Sequence, residues 1–495
     1  MAAIAASMLA VGLDLTILNV ALPTIAVDLG ASTSELQWFV AVYLLVLAAG
    51  MLPAGVLGDR LGQRRLFLGA LALFGAASVA CAYADSPATL IVARVLLGAG
   101  AAFLMPLSIS LLVVLFAPEE RPKAIAMWTM AVVVGIPIGP VLGGWLVDRF
   151  WWGSVFLVSV PPVLAAFVVL ARLLPPTPGT ARERLDVIGM ILSGTGLVAL
   201  TYGLIGLGHR GVSPAALAPV VAGLGLLALL GYWLRRTPHP LFDPRMFRSA
   251  GFTVGALLTT VGSFALIGAM FVLPQYFQAV WGADPWEVGL RVLPVVGGLL
   301  VGVQAGERLH KALGVRALIV AGYGLMTVGL LIGATTPLGA GYPFVTTWMA
   351  VMGLGLGLAL PLALNVALGG IADDRSGTGA GVLQTMRQVG GTLGVAVLGA
   401  TLNARYRGEV DTAGLPAPDA DAVLGTAASG VAVARTTGSA DLLESVRVAF
   451  LGGMSAMLLV CAAVTAFGAV LALVSLPPKA AGVPGKQLAD DVRPA

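Results

Sequence analysis

Roughly fourteen runs of about twenty apolar residues, parted by short charged or Pro/Gly-containing breaks, fill this chain almost end to end. A run of that length crosses the hydrocarbon layer as a helix, because a helix satisfies its own backbone where no water can reach it. With ends good to a few residues, the runs lie at roughly 2–26, 36–57, 66–84, 88–115, 123–147 and 154–174; then 187–207 and 214–234; then 252–278, 286–305, 316–334, 342–367, 378–402 and 446–476. Composition agrees, with 58% of 495 residues hydrophobic and 11% charged. A soluble domain carries about 25% charged residues. Soluble enzyme, disordered chain, coiled coil and secreted disulfide scaffold are excluded. What remains is an all-α polytopic membrane protein.

The charge balance supports this and sets an orientation. The formal charge of +4 could suggest nucleic acid, but 19 of the 28 Lys and Arg fall on one side if the N-terminus is cytoplasmic. The short outer loops hold only Arg149 and Arg210. By the positive-inside bias both termini are expected in the cytoplasm, and the net charge is mainly a topology signal, with attraction to anionic membrane lipids second. The first run lacks the basic flank of a signal peptide and carries Asp14, so it reads as an uncleaved helix. Cys81 and Cys461 lie inside apolar runs and read as packing residues. His209, His239 and His310 are scattered over the breaks, so no metal or haem site is expected.

The chain repeats itself. Gly98, Gly100, Pro106 and Leu107 recur 255 residues on as Gly353, Gly355, Pro361 and Leu362. Thr129-Met130, Gly135 and Gly143 recur at an offset of 256 as Thr385-Met386, Gly391 and Gly399. Leu22-Pro23 answers Leu273-Pro274, and Gly62-Gln-Arg64 answers Gly314-Val-Arg316. Six helices, two inserted helices and six more follow, in pseudo-twofold halves. The expected segments are 1–175 for the N-terminal bundle, 176–250 for the insertion with its linkers, 251–476 for the C-terminal bundle with an outer loop at 403–445, and 477–495 for a cytoplasmic tail. Repeated halves in a membrane point to alternating access around a midplane site.

Few charged residues lie well inside the runs. Among the 24 acidic residues only Asp14 lies well inside one, and three basic residues do, Arg94, Arg291 and Arg387. On this alignment Asp14 and Arg94 correspond to Ala265 and Met349, so the two charges belong to the first half alone. An ionised Asp at that depth costs about 2.5–3.5 kcal/mol even on gentle insertion scales, so such a residue faces a cavity and is paired, or is protonated. Burial and a nearby cation act on its proton in opposite directions, which suits a group that loads and releases one as its surroundings change. The alternative is a packing Asp satisfied by Thr16, Asn19 or a neighbouring hydroxyl. Arg94 does not deprotonate; it could tune the carboxylate or snorkel to the outer interface. The segment containing Gly55, Gly58, Asp59, Arg60, Gly62 and Arg64 joins the second and third helices with glycines that permit a tight turn. In the fifth helix Gly135, Gly139 and Gly143 recur every four residues beside Pro137, Pro140 and Gly144, giving a smooth face for close helix approach.

These pieces together resemble the major facilitator superfamily, in particular its fourteen-helix drug:proton antiporter branch. The resemblance rests on Leu13-Asp14-x-Thr16-x-x-Asn19-x-Ala21-Leu22-Pro23, on Gly55 to Arg65, on Arg94 to Gly100 and on Gly135-x-Pro137-x-Gly139-Pro140-x-x-Gly143-Gly144. Pro240-Leu-Phe-Asp243 and Arg387-Gln388-Val-Gly390-Gly391 also fit, whereas Glu307-Arg308 only loosely echoes Asp59-Arg60. The resemblance implies a major facilitator fold and secondary active export from a bacterial inner membrane, a proton entering as an amphipathic or cationic compound leaves. It implies Asp14 as the proton and cation site with Arg94 beside it, Asp59, Arg60 and Arg64 as a cytoplasmic gate latch, and the fifth-helix glycine face as the antiporter seam. No cofactor beyond the proton gradient, no nucleic acid and a monomeric state are expected. Asn19, Tyr43, Phe103, Phe264, Phe271, Gln275 and Gln388, chosen by depth, are candidates for touching the small-molecule substrate.

An alternative is a dedicated exporter of one natural product, siderophore or lipid, which would share every motif. A membrane enzyme is disfavoured because no His lies well inside a run, and no Gly-x-x-x-x-Gly-Lys-Ser/Thr supplies an ATP site. A receptor would want a larger folded loop or tail than 403–445 or 477–495 supplies.

Overall fold

In the computed structural model the structure describes residues 1–116, 120–174, 186–238, 240, 242–369 and 376–477. Among them no strand occurs, and the chain forms a succession of helices. The first half contains α1 (Ala2–Asp28), α2 (Thr33–Leu61), α3 (Gln63–Ala82), α4 (Pro87–Leu115), α5 (Arg121–Arg149), α6 (Ser154–Leu157) and α7 (Val160–Leu173). The insertion is α8 (Val187–Arg210) and α9 (Pro214–Arg236), followed by a 3₁₀ turn at Pro244–Arg248. The second half contains α10 (Ala250–Ala279), α11 (Pro285–Arg291), α12 (Leu293–Leu313), α13 (Val315–Ala334), α14 (Tyr342–Gly369), α15 (Ser376–Glu409), α16 (Ala417–Gly425), α17 (Ala427–Thr437) and α18 (Ala440–Ser475). Every expected run coincides with a helix, most ends falling within a few residues while α15 and α18 extend further, and two runs are broken where proline removes a backbone donor. The sixth splits into α6 and α7, which opens with a proline in its first turn, and the tenth splits into α11 and α12 likewise.

Local chemistry sets the starts. Ser32 and Glu35 form a reciprocal capping box before α2, the Ser32 N–H donating to Glu35 Oε2 at 2.7 Å, and Ser86 with Thr89 does the same before α4. Twelve helical segments among the described residues are long and apolar enough to cross a membrane. The two remaining counterparts of the expected runs are α5, of 29 residues, and α15, of 34. The glycine contacts set α1 parallel to α5 and α10 parallel to α15; the end of the bundle where α1 starts is here the terminal face, and the other is the far face.

Two separate apolar cores match the two halves, one built from α1 to α7 and the other from α10 to α18. The internal repeat is visible as repeated packing. A Cβ on Gly98 would meet Tyr43 of α2, and one on Gly353 would meet Val295 of α12; Gly100 abuts Phe74 of α3 as Gly355 abuts Gly322 of α13. Gly62 and Gly314 both turn the chain between helices at positive φ, +96° and +81°.

One register differs from expectation. Gly135 and Gly139 of α5 meet Gly12 and Thr16 of α1, while in the second half Gly390 and Gly394 of α15 meet Thr260 and Phe264 of α10. The seam glycines are therefore offset by 255 residues throughout. Counted along α10, Gly262 rather than Ala265 takes the place of Asp14, because the Leu-Pro pairs used for alignment lie about one helical turn out of step with the seam.

The halves meet toward the far face. Gly144 of α5 rests on Pro285 of α11, Gly289 rests on Pro140, and Gly399 of α15 rests on Gln37 of α2. Gln278 Nε2 of α10 donates to the Val20 carbonyl of α1 at 3.0 Å. The stretch 403–445, expected as an outer loop, is instead largely helical. α15 continues to Glu409, and α16 and α17 bury Val423, Ala427, Val431 and Ala434 in the second-half core. Hydrogen bonds hold this cap to both halves: Tyr406 Oη to the Val423 carbonyl at 2.8 Å, and Thr33 Oγ1 of α2 to the Gly425 carbonyl at 2.8 Å. Its apolar residues are spaced by three and four, too sparsely to read as a membrane run yet enough for one buried stripe.

The insertion is not peripheral. α8 packs against both α2 and α15, its Gly208 pressed on Ala400, and Asn403 Nδ2 donates to the Gly208 carbonyl at 3.1 Å. α9 covers α8 and leaves most of its own surface outward. The linker at 175–185 and the tail from 478 lie outside the described residues.

Gly139→Val should test the α1–α5 seam, since a Cβ there collides with Thr16 Oγ1. A loss of about 1–3 kcal/mol or more is expected in detergent thermal unfolding, while Gly194→Ala, with open space around it, should leave stability unchanged or slightly raised. Equal melting of the two variants would contradict the packing described.

Candidate functional site

The glycine seam orients α1 first. With Gly12, Thr16 and Ile17 held against α5, the opposite side of α1 turns Asp14 toward α2 and α4. The fourth helix supplies Arg94, two turns in from its far-face end, and brings it close because Gly98 lets the α4 backbone approach α2. Arg94 Nη1 donates to Asp14 Oδ1 at 3.0 Å and to Oδ2 at 2.9 Å. Arg94 Nε donates to the Phe39 carbonyl of α2 at 2.9 Å. The guanidinium lies 4.3 Å from the centre of the Tyr43 ring and 5.9 Å from that of Phe156. One arginine therefore fastens three helices, α1 by charge, α4 by covalent attachment and α2 by a carbonyl and a ring.

Asp14 is 3% exposed and Arg94 2%. The carboxylate points neither to lipid nor to open water in this conformation; it is enclosed in the first-half bundle. Arg94 does not snorkel to the interface. A carboxylate, a backbone carbonyl and an aromatic face satisfy it more fully than partial hydration at the membrane edge could. Tyr43 lies beside the pair, and its hydroxyl makes no hydrogen bond of standard geometry. Phe39, one turn before Tyr43, has no polar side chain to mark it in the sequence; its backbone oxygen does the work.

The remaining candidates separate into groups. Gly135, Gly139 and Gly143 form the α1 seam, a Cβ on Gly143 falling 2.9 Å from the Ile17 carbonyl, while Gly144 and Pro140 form the seam with α11. The side chain of Pro137 lies outside the described residues, as do the surroundings of Gly55 and Asp59. Gly58 abuts Leu107, Arg60 is exposed, and Arg64 Nη2 donates to the Ala171 carbonyl of α7 at 2.6 Å. This loop thus ties α3 to α7 within the first half, and Gln63 Nε2 adds a bond to Ser110 of α4 at 2.7 Å.

Of the seven candidates chosen by depth, only Tyr43 touches the charged pair. Asn19 is buried on α1 with its Oδ1 unbonded, and Phe103 packs on the first-half core. Phe271 crosses the divide, a second-half residue buried among first-half side chains. Phe264 backs onto Gly394, Gln275 Nε2 bonds the Phe271 carbonyl at 2.7 Å, and Gln388 is buried on α15. Arg291, read from sequence as a membrane residue, sits at the end of α11, paired with Glu287 at 3.2 Å and laid over Trp281. Both cysteines are buried and free.

Comparison with known proteins matches this architecture. Residues 4–395 fit the model of the Major Facilitator Superfamily. The Multidrug efflux pump LfrA of Mycolicibacterium smegmatis is 34% identical over 485 residues, covering 94% of this chain and 95% of that protein. The Tetracenomycin C resistance and export protein of Streptomyces glaucescens is 33% identical, with 95% and 90% covered. The Methyl viologen resistance protein SmvA of Salmonella typhimurium is 31% identical, with 90% and 92% covered. A solved bacterial homologue of the human lysosomal transporter Spinster superposes with a TM-score of 0.70 at 16% identity, covering 96% of this chain and 97% of that one. With halves repeated in sequence and in packing, and relatives matched almost end to end, this multi-pass membrane chain belongs to the major facilitator superfamily of transporters.

Proposed function

We propose that this protein exports amphipathic drugs and toxic compounds across a bacterial inner membrane in exchange for protons, with all fourteen long helical segments spanning it and both termini cytoplasmic. The observation that carries the reading is the buried Asp14–Arg94 pair, supported by relatives named for multidrug efflux and antibiotic export. The excess of Arg and Lys on the terminal face supports the orientation.

The pair suits coupling because its two states cost so differently. Ionised, Asp14 neutralises Arg94 where an isolated charge would be expensive. Protonated, it leaves the guanidinium with the Phe39 carbonyl and two aromatic faces, and the charge-assisted link between α1 and α4 is lost. A proton arriving from one side therefore favours a rearrangement that rehydrates Arg94, and its release to the other favours closing. The far-face contacts of α5 with α11 and of α2 with α15 are what such a rearrangement must open, and the glycine seams let them part and reclose as smooth surfaces. Each proton entering an inside-negative cell contributes about 2.3 kcal/mol per 100 mV.

Arg94→Met alone should destabilise the protein by about 3–5 kcal/mol, since it strands a buried carboxylate, while Arg94→Met combined with Asp14→Asn should recover most of that loss in detergent unfolding. Equal stability of the two variants would show that the pair carries no such energy. Asp14→Asn should fold and insert yet lose at least about tenfold of the pH-gradient-driven flux in proteoliposomes. Screening dyes, antibiotics and lipids in the same assay separates a broad exporter from a dedicated one. Undiminished gradient-driven flux in the Asn variant would refute the assignment.

A further inference from the structure

A second cation lies at the depth of Asp14, and the coupling pair does not use it. Arg387 stands 11 residues into α15 and Asp14 stands 12 residues into α1, both counted from the terminal face. At 1.5 Å per residue each is about 17 Å in. Arg387 precedes Gly390 by three residues and Gly391 by four, so it shares their side of the helix. Gly390 rests on Thr260 of α10 and Gly391 on Ile267 of α10 and Leu44 of α2. By this spacing Arg387 lies on the side of α15 where α10 of one half and α2 of the other converge.

Its partners are few. Arg387 Nη1 donates to Gln384 Oε1 at 3.2 Å, Nε is buried without an acceptor, and no carboxylate among the described residues lies within ion-pair distance. The residue keeps a minor part of its surface exposed, while its Nε is buried. Asp14, the acid at this depth, is already committed to Arg94. A cationic cargo entering between the halves at this depth would meet an uncompensated positive charge, and an acid already paired. An anionic one would find its counter-ion in place, with the Gln384 amide beside it.

We infer that the passage between the halves takes anionic amphiphiles, aromatic compounds bearing a sulfonate, carboxylate or phenolate, and that Arg387 binds their negative group. The inference rests on the proton-coupled export reading and narrows its substrate class. It has an electrical consequence. Exporting one negative charge while importing one proton moves two positive charges inward, so an inside-negative potential should accelerate it, whereas one-for-one exchange of a proton for a monocation moves no net charge.

The test uses the full chain in proteoliposomes with an imposed pH gradient, with 8-anilinonaphthalene-1-sulfonate as the anion and ethidium as the cation. Wild type should transport the sulfonate, faster under an inside-negative potential. Arg387→Gln should lower sulfonate flux by about tenfold or more and leave ethidium flux unchanged or raised, and Arg387→Lys should retain most of the sulfonate flux. Fluorescence titration of the detergent-purified variants should show the same loss and retention in sulfonate affinity. Ethidium flux without sulfonate flux in wild type would overturn the inference while leaving proton-coupled export standing. Sulfonate flux indifferent to Arg387→Gln would overturn it, and so would equal loss of both dyes in the Gln and Lys variants, which marks a structural role. If neither dye moves with the gradient, the export reading and the inference fall together.

Discussion

A charge cannot be left alone in hydrocarbon, and the first half of this transporter is arranged around that constraint. Asp14 and Arg94 come from helices that do not adjoin in sequence, and they meet because glycines let α5 press α1 into one orientation and let α4 approach α2. The pair is neutral as a unit, so its burial is tolerable; it is responsive because a single proton makes it a net cation. The second half has Met349 at the place of Arg94 and Gly262 at the place of Asp14. The two halves share a scaffold, and only the first carries the buried Asp14–Arg94 pair.

The same small residues serve structure and motion. The seams of α5 with α1 and with α11, and of α15 with α10, are formed by backbone approaching backbone. Such contacts gain from dispersion and weak polar contacts over broad smooth surfaces and lock no long side chains together, so they can separate and reform at modest cost. The contacts at the far face lie between halves, whereas the described bonds of the α2–α3 turn, Arg64 to α7 and Gln63 to α4, stay within one half. α8 lies against both α2 and α15, so the inserted helices touch both halves.

Much of this could be read from residues alone. Helix positions followed from the length of apolar runs, the repeat from paired glycines, and the need of Asp14 for a partner from its isolation among apolar neighbours. Three features could not. Arg94 could as well have snorkelled, since the Phe39 carbonyl that helps hold it has no side-chain signature. The cap at α16 and α17 is too polar to register as a membrane run, and it is held by backbone carbonyls that Thr33, Tyr406 and Arg407 reach from distant positions. The register of α10 was displaced by about a turn because a Leu-Pro match carries less spatial information than a glycine pressed on a backbone. Choosing cavity residues by depth brought only Tyr43 to the pair, because depth along a helix says nothing about which way a side chain faces.

In the proposed exchange Asp14 gives up its proton in step with cargo. In weakly buffered detergent solution, adding a transported compound to the purified protein should release protons that a pH-indicator dye records. Wild type should release them in proportion to binding, and the Asp14→Asn variant should bind the compound and release none. The same proton release from both proteins would contradict the account.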